Sequence, residues 1–198
     1  MTITRVTLTT VIAAFLFWGC GPTQTVQRVD PGSQSDLSGN WNDTDARMVA
    51  EDMTSDILSA AWLQNEESPV LIVGNIRNNT TEHIRTDIFI KEIERAIVNS
   101  QKIEIVADPD QRAQIRAERD DQQQHASYET AASLAQELGA DFMLVGGIEA
   151  NVDKNLDGSR AAKFYTVNLE LINVESNRKA WIGNKKIKKM IERSKVKW

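Results

Sequence analysis

Cysteine occurs once in this sequence, at Cys20, so no disulfide can close within the chain and no cysteine-based zinc site can be built. Histidine occurs twice, at His83 and His125, in polar surroundings and with no H-x-x-x-H or similar ligand spacing, so both read as surface residues. No G-x-S-x-G, P-loop or G-x-G-x-x-G motif is present, which removes the common nucleophile elbow and phosphate cradles. Val145-Gly146-Gly147 lies inside an apolar strand pattern, where glycine serves close packing. Long hydrophobic runs are missing too. The longest, over 6–18, falls short of the roughly 18–20 apolar residues that span a bilayer. Carboxylates are plentiful, as at Asp120-Asp121, but they sit in solvated sequence without an apolar wall to raise a pKa. These absences together describe a non-catalytic chain with no cofactor, no metal and no small-molecule substrate.

What is present begins with the first twenty residues. Arg5 precedes the short apolar stretch, and Gly19-Cys20 follows it, the layout of an export signal. Phe17-Trp18-Gly19-Cys20 resembles a bacterial lipobox, which implies cleavage after residue 19 and attachment of lipid, palmitate included, to Cys20. An ordinary signal peptide with an incidental cysteine is the other reading. Gly21, not Asp, follows Cys20, which by the same resemblance implies sorting to the outer membrane, facing the periplasm.

Residues 20–43 hold Pro22, Pro31, Gly32 and Gly39 among Ser and Gln, and read as a disordered tether. Its 24 residues from Gly21 to Thr44 reach at most ~80 Å extended and average ~27 Å as a coil. The rest, 44–198, is enough for a single domain that stands on packing alone. Its charge is uneven. From Gly183 onward six Lys and Arg193 face Glu192 alone, a surplus of +6, while residues 20–182 carry −12. An acidic body argues against nucleic acid as a partner.

Apolar periodicity predicts a helix from a cap at Thr44 or Asp45 to about Trp62, with Ala46, Val49, Ala50, Met53, Ile57 and Ala61 on one face. The near-continuous run 70–74 predicts a strand covered on both faces, and 78–81 a polar loop. A second helix is expected over 85–100, burying Ile88, Phe89, Ile93, Ala96 and Ile97. A short strand follows at 103–106, then a polar helix over 109–124 and another from Ser127 to Leu138 with Gly139 as its stop. Phe142 to Ile148 reads as a central strand. Strict alternation over 164–174 sets Tyr165, Val167, Leu169 and Leu171 against Thr166, Asn168 and Glu170, a half-buried antiparallel strand. Asn177-Arg178 turns it into a last strand that starts at Lys179 and contains Trp181. The order α-β-α-β-α-α-β-β-β indicates an α/β (α+β) fold, a mixed sheet with helices packed on it. Asp153-Lys154-Asn155-Leu156-Asp157-Gly158 opens like a calcium loop, but the twelfth position is Phe164 and not Glu, so it reads as a hairpin turn.

Two regions are candidates for holding a partner. Arg77 and Asn78 begin one, together with Arg112, Arg116 and Arg119 on the neighbouring polar helix; a solvated helix face is the plainer reading. Lys185 and Lys186 head the other, where attraction to acidic surfaces and a charged edge strand remain equal readings.

A set of segments in order resembles a known family: 59–63 ending in Trp62-Leu63, Ile72-Val73-Gly74 followed by Ile76-Arg77-Asn78, Thr81-Glu82-His83-Ile84, Ala140-Asp141-Phe142-Met143, and Val167 to Ile172 leading to Trp181-Ile182-Gly183. The set resembles the LpoB family of outer-membrane lipoprotein activators of penicillin-binding proteins, over about residues 41–192. The resemblance implies a fold like the amino-terminal domain of TolB. It also implies a class A penicillin-binding protein, a bifunctional peptidoglycan synthase, as partner, with the membrane engaged only through lipid on Cys20. Well-known members span the periplasm on a long tether, whereas this one is short. The alternative is a structural or assembly lipoprotein similar to the curli-secretion pore protein.

Overall fold

Asn42, ahead of the expected cap at Thr44 or Asp45, caps the first helix. Its side chain accepts a hydrogen bond from the Asp45 N–H at 3.0 Å, and Asp45 accepts in return from the Asn42 N–H at 2.9 Å. This reciprocal box opens helix α1, Asp43–Ser59. The computed structural model describes residues 25–30, 32–33, 36–125 and 139–192, with the backbone alone at 121–125. The leader with Cys20, the helix expected from Ser127 to Leu138 and residues 193–198 lie outside the described residues. The chain divides into two units between Ser33 and Gln34. In the first, Asp30 turns the chain by accepting from the Gly32 and Ser33 amides.

In the second unit α1 is followed by a 3-10 turn, Ala61–Asn65, then β1 (Val70–Asn78), α2 (Thr86–Ser100), β2 (Glu104–Ile105), α3 (Pro109–His125), β3 (Phe142–Lys154), β4 (Arg160–Asn173) and β5 (Lys179–Glu192). The strands form one mixed sheet in the order β2-β1-β3-β4-β5. β1 runs parallel to both β2 and β3, whereas β3, β4 and β5 are antiparallel. The α/β class and the central place of β3 are as expected.

Helix α1 stops at Ser59, short of the predicted end. Ala60 turns extended, and the Trp62 indole N–H donates back to the Ile57 carbonyl at 3.1 Å, satisfying an orphan acceptor of the last turn. Ala61 is therefore exposed rather than part of the apolar face. Helices α1 and α2 pack on each other and on the same side of the sheet. Their Val49, Met53, Ile57, Phe89, Ile93 and Ile97 meet Leu71, Ile76, Leu144, Ile148, Tyr165, Val167, Leu169 and Leu171. Ile88, expected in that face, is 54% exposed, because its neighbour Phe89 takes the inward position.

The other side of the sheet differs from expectation. β1 and β3 bury alternate residues, and Met143 of β3 is 37% exposed, so these strands are fully covered on one face only. β3 and β4 also run longer than their apolar patterns. Beyond Ile148 the hairpin is held by ladder pairing out to Lys154↔Ala161, where 151–154 are exposed and carry no hydrophobic signal. Its tip is a turn in which Gly158 has φ +68° and Asn155 accepts from Arg160.

Residues 36–42, which the sequence assigns to the tether, lie on the domain. Trp41 stands edge-on to Tyr165 at 5.5 Å, and its amide donates to Glu82 at 3.0 Å. Glu82 also accepts from Lys163 at 2.7 Å and from the Tyr165 hydroxyl at 2.6 Å. Lys163 reaches the Asn40 side chain, and Lys189 reaches Asp36, Asp45 and the Asn40 carbonyl. Polar side chains far apart in sequence thus grip a segment with little apolar content except its tryptophan.

Candidate partner-binding surface

The face of the sheet turned away from α1 and α2 is defined by register. From β3 it takes Met143, Val145, Gly147 and Glu149; from β4 Phe164, Thr166, Asn168 and Glu170; from β5 Ile182, Asn184, Lys186, Lys188 and Met190. A one-residue bulge in β1 adds Arg77. Val73 pairs with Leu144 but Ile76 with Gly146, so an extra residue flips the alternation; Ile76 stays in the core and Arg77 comes out beside Gly147.

A polar ladder crosses this face. Asn79 donates to one oxygen of Glu149 at 3.2 Å, Asn168 donates to the other at 3.0 Å, and Asn184 donates to Asn168. Gly147 leaves room for it, since a Cβ there would lie 2.8 Å from the Asn79 amide nitrogen. At the β5 end the Lys188 ammonium sits 5.0 Å above the Phe164 ring. The surface offers hydrogen-bonding amides, exposed cations and flanking apolar side chains. Among the described residues no group of three or more His, Cys, Asp or Glu side chains is placed to hold a metal.

The predicted binding residues separate. Arg77 and Lys186 share the open face, both exposed, on strands separated by β3 and β4. Asn78 falls on the opposite side and works within its loop: it donates to the Glu82 carbonyl at 2.7 Å and accepts from the Thr80 amide at 3.0 Å. Lys185 also faces the helices and pairs with Asp52 of α1. Arg112 donates to the Ala107 carbonyl at 2.9 Å, tying α3 to the segment before it. Arg116 and Arg119 lie further along α3, where no residue over 109–120 is buried. Lys188 belongs to the basic end that the sequence offered, whereas Glu149, Asn168 and Asn184 were not singled out as binding residues. Alternation put Asn168 on the outward side of β4, but which residues of β3 and β5 lie beside it depends on register.

The model of the family described as "Peptidoglycan-synthase activator LpoB" matches residues 45–187. The chain belongs to the LpoB family. Among curated proteins none matches the sequence. Of solved structures, the LpoB C-terminal domain from Escherichia coli is similar at 18% identity and a TM-score of 0.46, covering 72% of this chain and 98% of that one. The corresponding domain from Salmonella enterica gives 17% and 0.44 with the same coverage. Lipoprotein GNA1162 from Neisseria meningitidis gives 13% and 0.39, covering 66% of this chain and 88% of that one. The LpoB family is, by its description, one of activators of peptidoglycan synthases.

Proposed function

We propose that this chain is a non-catalytic activator of a class A penicillin-binding protein, anchored to the outer membrane by lipid on Cys20 and acting in the periplasm to raise peptidoglycan synthesis. The observation that carries this reading is the family match across 45–187. The open sheet face, with its amide ladder, Arg77 and Lys186, supports docking over catalysis. An activator works by binding the active conformation of its enzyme more tightly than the inactive one. A tenfold stimulation that comes from such a population shift requires only about 1.4 kcal/mol of differential binding, well within what one exposed sheet face supplies.

The assembly-lipoprotein alternative is less favoured. β4 and β5 are long enough to cross a bilayer, yet β5 carries Lys185 and Lys189 on one face and Lys186 and Lys188 on the other, leaving no lipid-facing side. Glycan polymerisation by a purified cognate synthase, with and without this protein, tests the activator role. A rise in rate is expected, reduced by Arg77→Glu with Lys186→Glu; no binding and no rate change would sink it. Cys20→Ser is expected to abolish activity in cells while leaving stimulation in solution intact.

A further inference from the structure

β5 is the last strand of the sheet, paired along its length to β4 and, among the described residues, to nothing on its other side. In an antiparallel strand alternate residues direct their N–H and C=O groups away from the neighbour. β5 therefore presents an unpaired backbone edge over the 14 residues Lys179–Glu192. Its lysines are not equivalent. Lys185 and Lys189 turn toward the helices and are held by Asp52, and by Asp36 and Asp45. Lys186 and Lys188 point to the open face, two residues and so about 7 Å apart. Neither forms an ion pair among the described residues, and exposed Ile182 (61%) and Met190 (63%) flank them.

The occupant of such an edge is limited by charge. A second copy pairing antiparallel through the same strand would set lysines against lysines, which is unfavourable. An anionic membrane surface is recognised by clusters of about 4–8 cations, whereas three of the five β5 lysines, Lys179, Lys185 and Lys189, are already paired with carboxylates of the same molecule. An extended segment with carboxylates two residues apart matches both the spacing and the sign, with apolar residues at its ends meeting Ile182 and Met190. We propose that β5 accepts an acidic, extended segment of a partner protein by strand addition. The inference goes beyond the activator role, because it holds whichever protein supplies the segment.

Hydrogen exchange of the full-length chain tests it, with a synthetic peptide of alternating Thr and Glu ended by Ile as probe and the Thr-Lys peptide as control. The acidic peptide is expected to slow exchange in β5 and not in β2, the opposite edge. Lys186→Glu with Lys188→Glu should weaken it at least tenfold and favour the lysine peptide. Lys186→Gln with Lys188→Gln, a milder pair, should weaken it severalfold and keeps the test open if charge reversal disturbs folding. Overturning results are absence of β5 protection at millimolar peptide, equal protection by both peptides, or binding only to phosphatidylglycerol vesicles.

Discussion

Lys189 of β5 places its ammonium 2.6 Å from the carboxylate of Asp45 in α1, with only 9% and 5% of the two side chains exposed. Asp45 also closes the reciprocal cap with Asn42, so one carboxylate joins the helix start, the sheet edge and, through Lys189, Asp36. Removing one partner of such a pair strands the other charge out of water. Lys189→Met is expected to cost about 3 kcal/mol in urea unfolding. Adding Asp45→Asn should restore a good part of that, since the amide keeps an acceptor for the Asn42 N–H and carries no charge.

Acid should release the 36–42 segment. Burial works to raise the Glu82 pKa, but hydrogen bonds from Lys163, Tyr165 and the Trp41 amide outweigh it and hold the carboxyl below its ordinary 4.5. Asp36 is likewise lowered, by Lys189 and Asn42. Carboxyls lowered by folding add stability above their unfolded pKa and lose it as pH falls through the folded one. Stability should therefore decline below about pH 4.5, and the gap between wild type and Glu82→Gln should close there. The Trp41 indole N–H signal in NMR would report the segment's release. At the alkaline end, burial acts to lower the Lys189 pKa, but Asp36 and Asp45 raise it overall, so its contribution persists until pH climbs above about 10.5.

Gly146 and Gly147 should respond differently to alanine. A Cβ at Gly146 would lie 2.1 Å from the Asn168 carbonyl oxygen, a backbone atom that cannot step aside. At Gly147 the nearest atom is the end of the Asn79 side chain, which can rotate away. Gly146→Ala is expected to lower stability by about 3 kcal/mol and Gly147→Ala by about 1 kcal/mol, read from thermal or urea unfolding. Gly147→Ala should in addition weaken partner binding through the displaced amide.

Adjacent residues in α2 make a sharp pair. Phe89 is wholly buried and Ile88 is half exposed. Phe89→Ala should cost about 3–5 kcal/mol, and Ile88→Ala should stay within about 0.5 kcal/mol. Equal losses would place both in the core, as helical spacing alone suggests.

The elements most readable in the sequence were those whose periodicity reflects one-sided burial. The alternation Tyr165, Val167, Leu169, Leu171 predicted the inward face of β4, and Val49, Met53 and Ile57 that of α1. Less readable were stretches held by ladder hydrogen bonds alone, such as 151–154, because backbone pairing leaves no mark on side-chain pattern. For the surface, Arg77 and Lys186 were reachable from charge, but Lys185 could not be told from Lys186. A single residue of register separates an ion pair with Asp52 from an open cation.

The sequence by itself determined the mixed α/β class, the basic last strand and the family resemblance, since these depend on composition and local order. Tertiary structure alone decided that a bulge in β1 sends Arg77 outward, that Glu149, Asn168 and Asn184 form one ladder, and that Lys163 and Lys189 hold 36–42. Each of those joins residues tens to more than a hundred positions apart, and only the sheet order and its register bring them within hydrogen-bonding distance.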